Sequence, residues 1–260
     1  MIDWWQWRNE PVLVDGIVLA GWIYAMLAGP FRRRLAGGEP FPRARAVRFY
    51  AALGLLYLAV ASPWSRVGEN FLFSAHMAQL LAIMYPAAAL FLLGLPAWMI
   101  DPALARPAWR RPLGWILNPL VCGALFTLVV TAWHVPRLFE SALESGGMHA
   151  LEHASIFAVA VLFWWPLLSP SRVFRPLGFG ARMVYLFCME VSLTALFTYI
   201  LMADHAMYPT YEYAPRILPW LGAVDDQVLG GILLSAGSSL VMLAALGVNF
   251  FRWARTNHSP

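Results

Sequence analysis

Lysine is absent from this chain of 260 residues. All eighteen basic side chains are arginine, a bias that codon usage alone would produce and that carries no functional reading. Charge of either sign is scarce: charged residues make up 12% of the chain against 60% hydrophobic ones. A soluble domain carries about a quarter charged residues, so this composition belongs to a chain solvated by lipid. There are two cysteines, Cys122 and Cys188, both inside apolar runs. That excludes a disulfide framework and a CxxC metal pair, and leaves them as small core residues. No low-complexity tract, internal repeat or cleavable signal is visible. No connection between apolar runs exceeds roughly 20 residues, which excludes an inserted soluble domain. The net charge of +4 would suggest nucleic acid in a soluble protein. Here arginines gathered in loops beside a membrane account for it, and no nucleic acid is expected.

What the sequence does contain is long apolar runs. A bilayer core takes about 20 apolar residues per helix. Seven runs qualify: 12–30, 46–62, 71–95, 114–134, 148–168, 181–203 and 227–250, with Pro86 and Pro119 read as lying inside spans. Trp4, Trp5 and Trp7 precede the first run as an aromatic belt, and Trp164 and Trp165 read as an anchor at the end of the fifth. The expected fold is therefore all-α: a polytopic membrane helical bundle, one transmembrane domain of seven helices over residues 1–260.

Arginine sets the expected orientation. Loops 31–48, 96–113 and 169–182 and the C-terminal tail hold fourteen, while the opposite side holds four: Arg8, Arg66, Arg137 and Arg216. The richer side is cytoplasmic by the positive-inside rule, so the N-terminus lies outside and the C-terminus in the cytoplasm.

Histidine leans the other way. His76, His134, His149, His153 and His205 fall at the outer end, and only His258, in the tail, at the inner one. His149 and His153 stand four apart on one helix face with Glu152 between them, a spacing that lets two imidazoles reach one ion. His76 lies about 7–8 Å inside the third span by helical rise, with Gln79 one turn on, and His134 closes the fourth. Imidazole suits copper, zinc or iron, and thioether donors such as Met77, Met148, Met202 and Met207 favour monovalent copper. The expected site is one metal ion held by a subset of His76, His134, His149 and His153, with Met77, Gln79, Glu152 and Asp226 as additional or outer partners. His205 alone reads as an interfacial residue. Glu190, mid-span, must find a polar partner or a proton.

These residues also carry a resemblance. Ser74-Ala75-His76-Met77-Ala78-Gln79, Trp133-His134-Val135-Pro136, the stretch from His149-Ala150-Leu151-Glu152-His153 to Phe163-Trp164-Trp165-Pro166, and Asp226-Gln227 before Gly230-Gly231 occur in this order. Together they resemble the CtaG family of cytochrome c oxidase assembly factors. Leu80 stands where that family commonly has histidine, and Leu234-Ser235 where it has Met-Trp. The resemblance implies a non-enzymatic, multi-pass protein of the bacterial inner membrane that helps assemble a haem-copper oxidase by handling copper. Its implied partners are oxidase subunits and a periplasmic copper chaperone.

Three other readings compete. His149-x-x-Glu152-His153 matches the H-x-x-E-H pattern of zinc hydrolases, with the glutamate as base. Histidines on two helices could ligate a haem b. An ion transporter would need a polar path through the cytoplasmic half, where Glu190 is nearly alone.

Overall fold

The computed structural model describes Trp7 and residues 10–257, which leaves Trp4, Trp5, Arg8 and His258 outside the described residues. These residues form helices and connections with no strand. The helices that build the bundle are α1 (Pro11–Ala28), α2 (Arg43–Ala61), α3 (Pro63–Asn70), α4 (Phe73–Gly94), α5 (Pro107–Ile116), α6 (Pro119–Trp133), α7 (Pro136–Glu144), α8 (Gly146–Leu168), α9 (Phe179–Leu201), α10 (Pro209–Tyr213) and α11 (Ala223–Asn257), with two further short helices, Arg32–Leu35 and Ala97–Leu104, in the connections. Proline opens six of them, because a fixed φ and a missing N–H are harmless in a first helical turn.

Six helices, α1, α2, α4, α8, α9 and α11, are long and apolar enough to cross a membrane. Helices α5 and α6 are apolar enough to cross only as a pair, and they meet at 61°, which gives six spans, or seven with the bent pair counted as one. The expected span 114–134 is thus broken at Leu117–Asn118. Pro119 starts α6, where the Asn118 side chain caps the N–H of Leu120 at 2.9 Å, and does not kink a continuous helix. The bent α5 buries none of its residues, and Trp109, Trp115, Arg110 and Arg111 are exposed.

Pro86 does lie inside a span. It lacks the N–H that the Ala82 carbonyl would receive, and residues Ile83–Ala87 form a π-turn in which Ile83 accepts from Ala88. Beside it the Met84 carbonyl accepts from the Trp164 indole at 3.0 Å. Trp164 and Trp165 are both buried in the core, so they are not the interfacial anchor their position suggested.

Burial identifies the centre of the bundle: 56% of the spanning window is buried in α4 and in α8, against 11% in α1. Helix α4 packs on α2, α3, α8 and α11; α8 packs on α6 and α7; and α9 closes on α6 and α11. Helix α1 leans chiefly on α2. Glu190 on α9 accepts a hydrogen bond from Ser239 on α11, a polar neighbour within the bundle.

Candidate metal centre

The end of the bundle opposite the arginine loops gathers most of its buried polar side chains. Helix α4 starts there because Asp226, the fourth residue of α11, caps it. The Asp226 carboxylate accepts from the N–H of Phe73 at 2.6 Å, the N–H of Ser74 at 3.2 Å and the Ser74 hydroxyl at 2.5 Å. A carboxylate at a helix N-terminus also gains from the macrodipole. Gly230, one turn along α11, lets α4 come close. A Cβ there would collide with the Phe73 ring and sit 3.1 Å from Met77 Cγ. The two anchors fix the first turns of α4, and with them His76 and Met77.

Helix α3 lies across the same turns. A Cβ on Gly68 would collide with the Gln79 amide and stand 3.0 Å from the backbone of His76. The Gly68 carbonyl accepts from the Tyr211 hydroxyl at 2.6 Å. Gln79 turns away to donate to the Ala59 carbonyl at 2.8 Å, tying α4 to α2. Glu69, on α3, is oriented by the Ser65 hydroxyl at 2.6 Å.

Helix α8 brings the rest. His149, Glu152 and His153 each offer a ligand atom within 4.8 Å of the others', and all three are buried. The His76 ring stands 5.7 Å from that of His153 and 6.4 Å from that of His149, centre to centre. His76 Nε2 is 3.4 Å from Glu152 Oε1.

Each ring has one nitrogen committed to an acceptor. His149 Nδ1 donates to Glu10 at 3.2 Å, His153 Nδ1 to the His149 carbonyl at 3.2 Å, and His76 Nε2 faces Glu152. In a neutral imidazole the second nitrogen is then a bare lone pair. His149 Nε2, His153 Nε2 and His76 Nδ1 are all buried and receive no hydrogen bond among the described residues, the Glu69 carboxylate standing 3.8 Å from His149 Nε2. Glu152 Oε2 is likewise without one. Unpaired lone pairs are costly away from water. Imidazoles whose N–H is held by a carboxylate or carbonyl, with the other nitrogen free, are arranged as metal ligands usually are. The donor set therefore fits a borderline divalent ion.

His134 stands apart from these three rings. It ends α6, where Trp133 is tied to α8 through Ser155 at 2.8 Å. Its Nδ1 donates to the Val130 carbonyl at 2.7 Å, and its Nε2 faces the sulfur of Met77 at 3.4 Å. Its own carbonyl accepts from the Tyr208 hydroxyl at 2.9 Å. Burial pushes the Tyr208 phenol well above its usual pKa, so it stays a donor. The Phe139 ring stands near both imidazoles, 5.1 Å from His76 and 6.2 Å from His134.

Asp226 and Gln79 are thus structural ties by their contacts. Glu10 and Glu69, absent from the expected site, stand 3.2 and 3.8 Å from His149. The available signal was their place just before the first span and on α3, close before the span that carries His76. His205 is exposed and pairs with its neighbour Asp204 at 2.8 Å.

A cavity of about 270 Å³ between α1, α2, α4 and α8 reaches His153. Its other walls include Gly16, Ile17, Leu56, Val60 and Phe157, all without polar side-chain atoms. The family model described as cytochrome c oxidase caa3 assembly factor matches residues 22–256. No curated protein and no solved structure matches the chain.

Proposed function

Because this chain belongs to the cytochrome c oxidase caa3 assembly factor family, we propose that it serves assembly by holding copper at its buried His/Glu cluster and passing it to the oxidase. The observation that carries this reading is the buried trio His149, Glu152 and His153, whose ligand atoms lie within 4.8 Å of one another, with the His76 ring beside them. The cargo is a copper ion; zinc or a haem iron would be the other fits to imidazole. Glu10 and the His149 carbonyl hold the rings so that the free nitrogens stay presented. Proton placement is then settled before any ion arrives, which lowers the cost of binding.

In a bacterial inner membrane the arginine skew puts the cluster at the outer face, with the N-terminus outside and the C-terminus in the cytoplasm. Copper handed on there would pass between a periplasmic chaperone and the oxidase subunits. The role requires no turnover. The cavity reaching His153 is apolar, which suits protection of a bound ion better than hydrolysis, since a hydrolase must admit water.

The test is the oxidase in membranes of a deletion strain. Its polypeptides should be present but short of copper, with activity reduced and donor cytochromes normal. Added copper should restore activity in part by mass action. A His149→Ala, His153→Ala double variant should behave like the deletion, and Glu152→Gln should be milder. A hydrolase would reverse that order, with Glu152→Gln abolishing function while metal stays bound. The visible spectrum of purified protein reports any haem. Normal copper and activity in the deletion strain would end the assembly role for that oxidase.

A further inference from the structure

The four histidines do not converge on one point, and the division follows the chemistry of their neighbours. His76, His149 and His153 share their surroundings with Glu152, so that set offers nitrogen and carboxylate oxygen. The atom that His134 Nε2 meets at contact distance is a thioether, while Glu152 and His76 act on it from farther off. Because its Nδ1 hydrogen is given to the Val130 carbonyl at 2.7 Å, its Nε2 carries a lone pair. That lone pair meets the Met77 sulfur at 3.4 Å, and neither atom has a hydrogen to share. His134 is 1% exposed and Met77 is 0% exposed, so water does not relieve the contact. Two acceptors face each other in a dry place.

From this juxtaposition, and building on the reading of the chain as a copper handler, we infer that His134 Nε2 and Met77 Sδ form a second, separate site for a soft monovalent ion, copper(I) or its stand-in silver(I). An imidazole nitrogen with a thioether selects monovalent copper, whereas the nitrogen and oxygen donors of the first cluster suit a divalent ion. The N···S separation of 3.4 Å is short enough for both atoms to reach one ion. Only two protein donors are supplied, so the ion keeps a position open for an incoming ligand, as a site that releases its cargo requires.

Helix α4 supplies a residue to each site. Consecutive residues on a helix point about 100° apart. His76 accordingly serves the nitrogen and oxygen set, and Met77, the next residue, the soft one. The position of Met77 is built: Gly230 clears room for its side chain, and Asp226 holds the turn that carries it. The Phe139 ring stands beside both, 5.1 Å from His76 and 6.2 Å from His134, and presents only apolar surface to them.

The experiment uses full-length protein in detergent, titrated separately with zinc(II) and with silver(I), and with copper(I) against a chromophoric competitor. Wild type should bind both kinds of ion at once, and the copper(I) form should show sulfur in its X-ray absorption spectrum. Met77→Leu, which conserves volume, should weaken silver(I) and copper(I) by more than about tenfold, since even losing an outer partner costs about 10–100-fold, and should leave zinc(II) unchanged. His149→Ala should do the reverse. If Met77→Leu binds monovalent ions as wild type does, or wild type shows only nitrogen and oxygen around copper(I), the second site does not exist. The sulfur signal needs no variant, so a Met77→Leu protein that fails to fold leaves the test intact. Loss of zinc(II) binding in wild type, with silver(I) retained, would strike the first cluster and spare this inference.

Discussion

His149 donates its Nδ1 hydrogen to Glu10 at 3.2 Å across 139 positions of sequence, so the residue just before the first span orients a ring on α8. Glu10 is 7% exposed and works where carboxylate contacts are strong. Replacing Glu10 with Ala should weaken divalent-metal binding by about 10–100-fold, because the ring loses its tautomer and orientation. Glu10→Gln keeps an acceptor and should fall in between. Chelator competition on purified protein measures this, and equal affinities for all three forms would show that Glu10 is a bystander.

Gly68 gives a second, steric prediction. A methyl group there meets the Gln79 amide and the His76 backbone. Gly68→Ala should cost about 1–3 kcal/mol through overpacking and lower metal affinity by moving His76. Gly54→Ala, where a Cβ meets nothing within 4 Å, should be neutral or slightly stabilising. Thermal unfolding of both in the same detergent separates the cases. Indistinguishable melting curves would mean that α3 yields freely.

Asp226 should prove a stability residue. Three donors at the start of α4 converge on its carboxylate, so Asp226→Ala strands buried groups at about 1–3 kcal/mol. Asp226→Asn should cost less. Metal bound per folded molecule should stay near wild type in both. A variant that folds as well as wild type but loses its metal would make Asp226 a ligand after all.

Topology can be read directly with reporter fusions. Fusions at Gly146 should report the periplasm, and fusions at Gly38 and Arg175 the cytoplasm, following the arginine skew. A cytoplasmic signal at Gly146 would put the histidine end on the wrong side for copper delivery to an oxidase.

Much of this architecture was legible in the chain because bilayer thickness imposes a length and apolar side chains announce it. The helices Arg43–Ala61, Gly146–Leu168 and Phe179–Leu201 fall within a few residues of the runs read from sequence. The break before Pro119 was less visible, since hydropathy does not register a bend and a proline reads alike at a first turn and in a helix middle. Trp164 was misplaced for a related reason: an indole is as much at home in a core as at an interface, and only its bond to Met84 decides.

Within the candidate site, the spacing of His149 and His153 was informative because a helix fixes it. The pairing of His134 with Met77 was not, since it depends on how α6 meets α4. The contributions of Glu10, Glu69 and Tyr208 arise from segments far apart in the chain and could not be read from local pattern.

The bend between α5 and α6 has a consequence for the lipid. Helix α6 has 15 residues, about 22 Å of rise, against a hydrocarbon core of about 30 Å. Helix α5 does not extend it, since it leaves at 61° with Trp109 and Arg110 exposed, the pair of side chains that settles at headgroup depth. Where α6 crosses the bilayer by itself, the acyl chains beside it shorten or tilt to meet it, at a fraction of a kcal/mol per Å of mismatch. A dimple in the sheet of lipid follows along the α6 flank, and neighbouring proteins with short hydrophobic belts would collect there in preference to long ones.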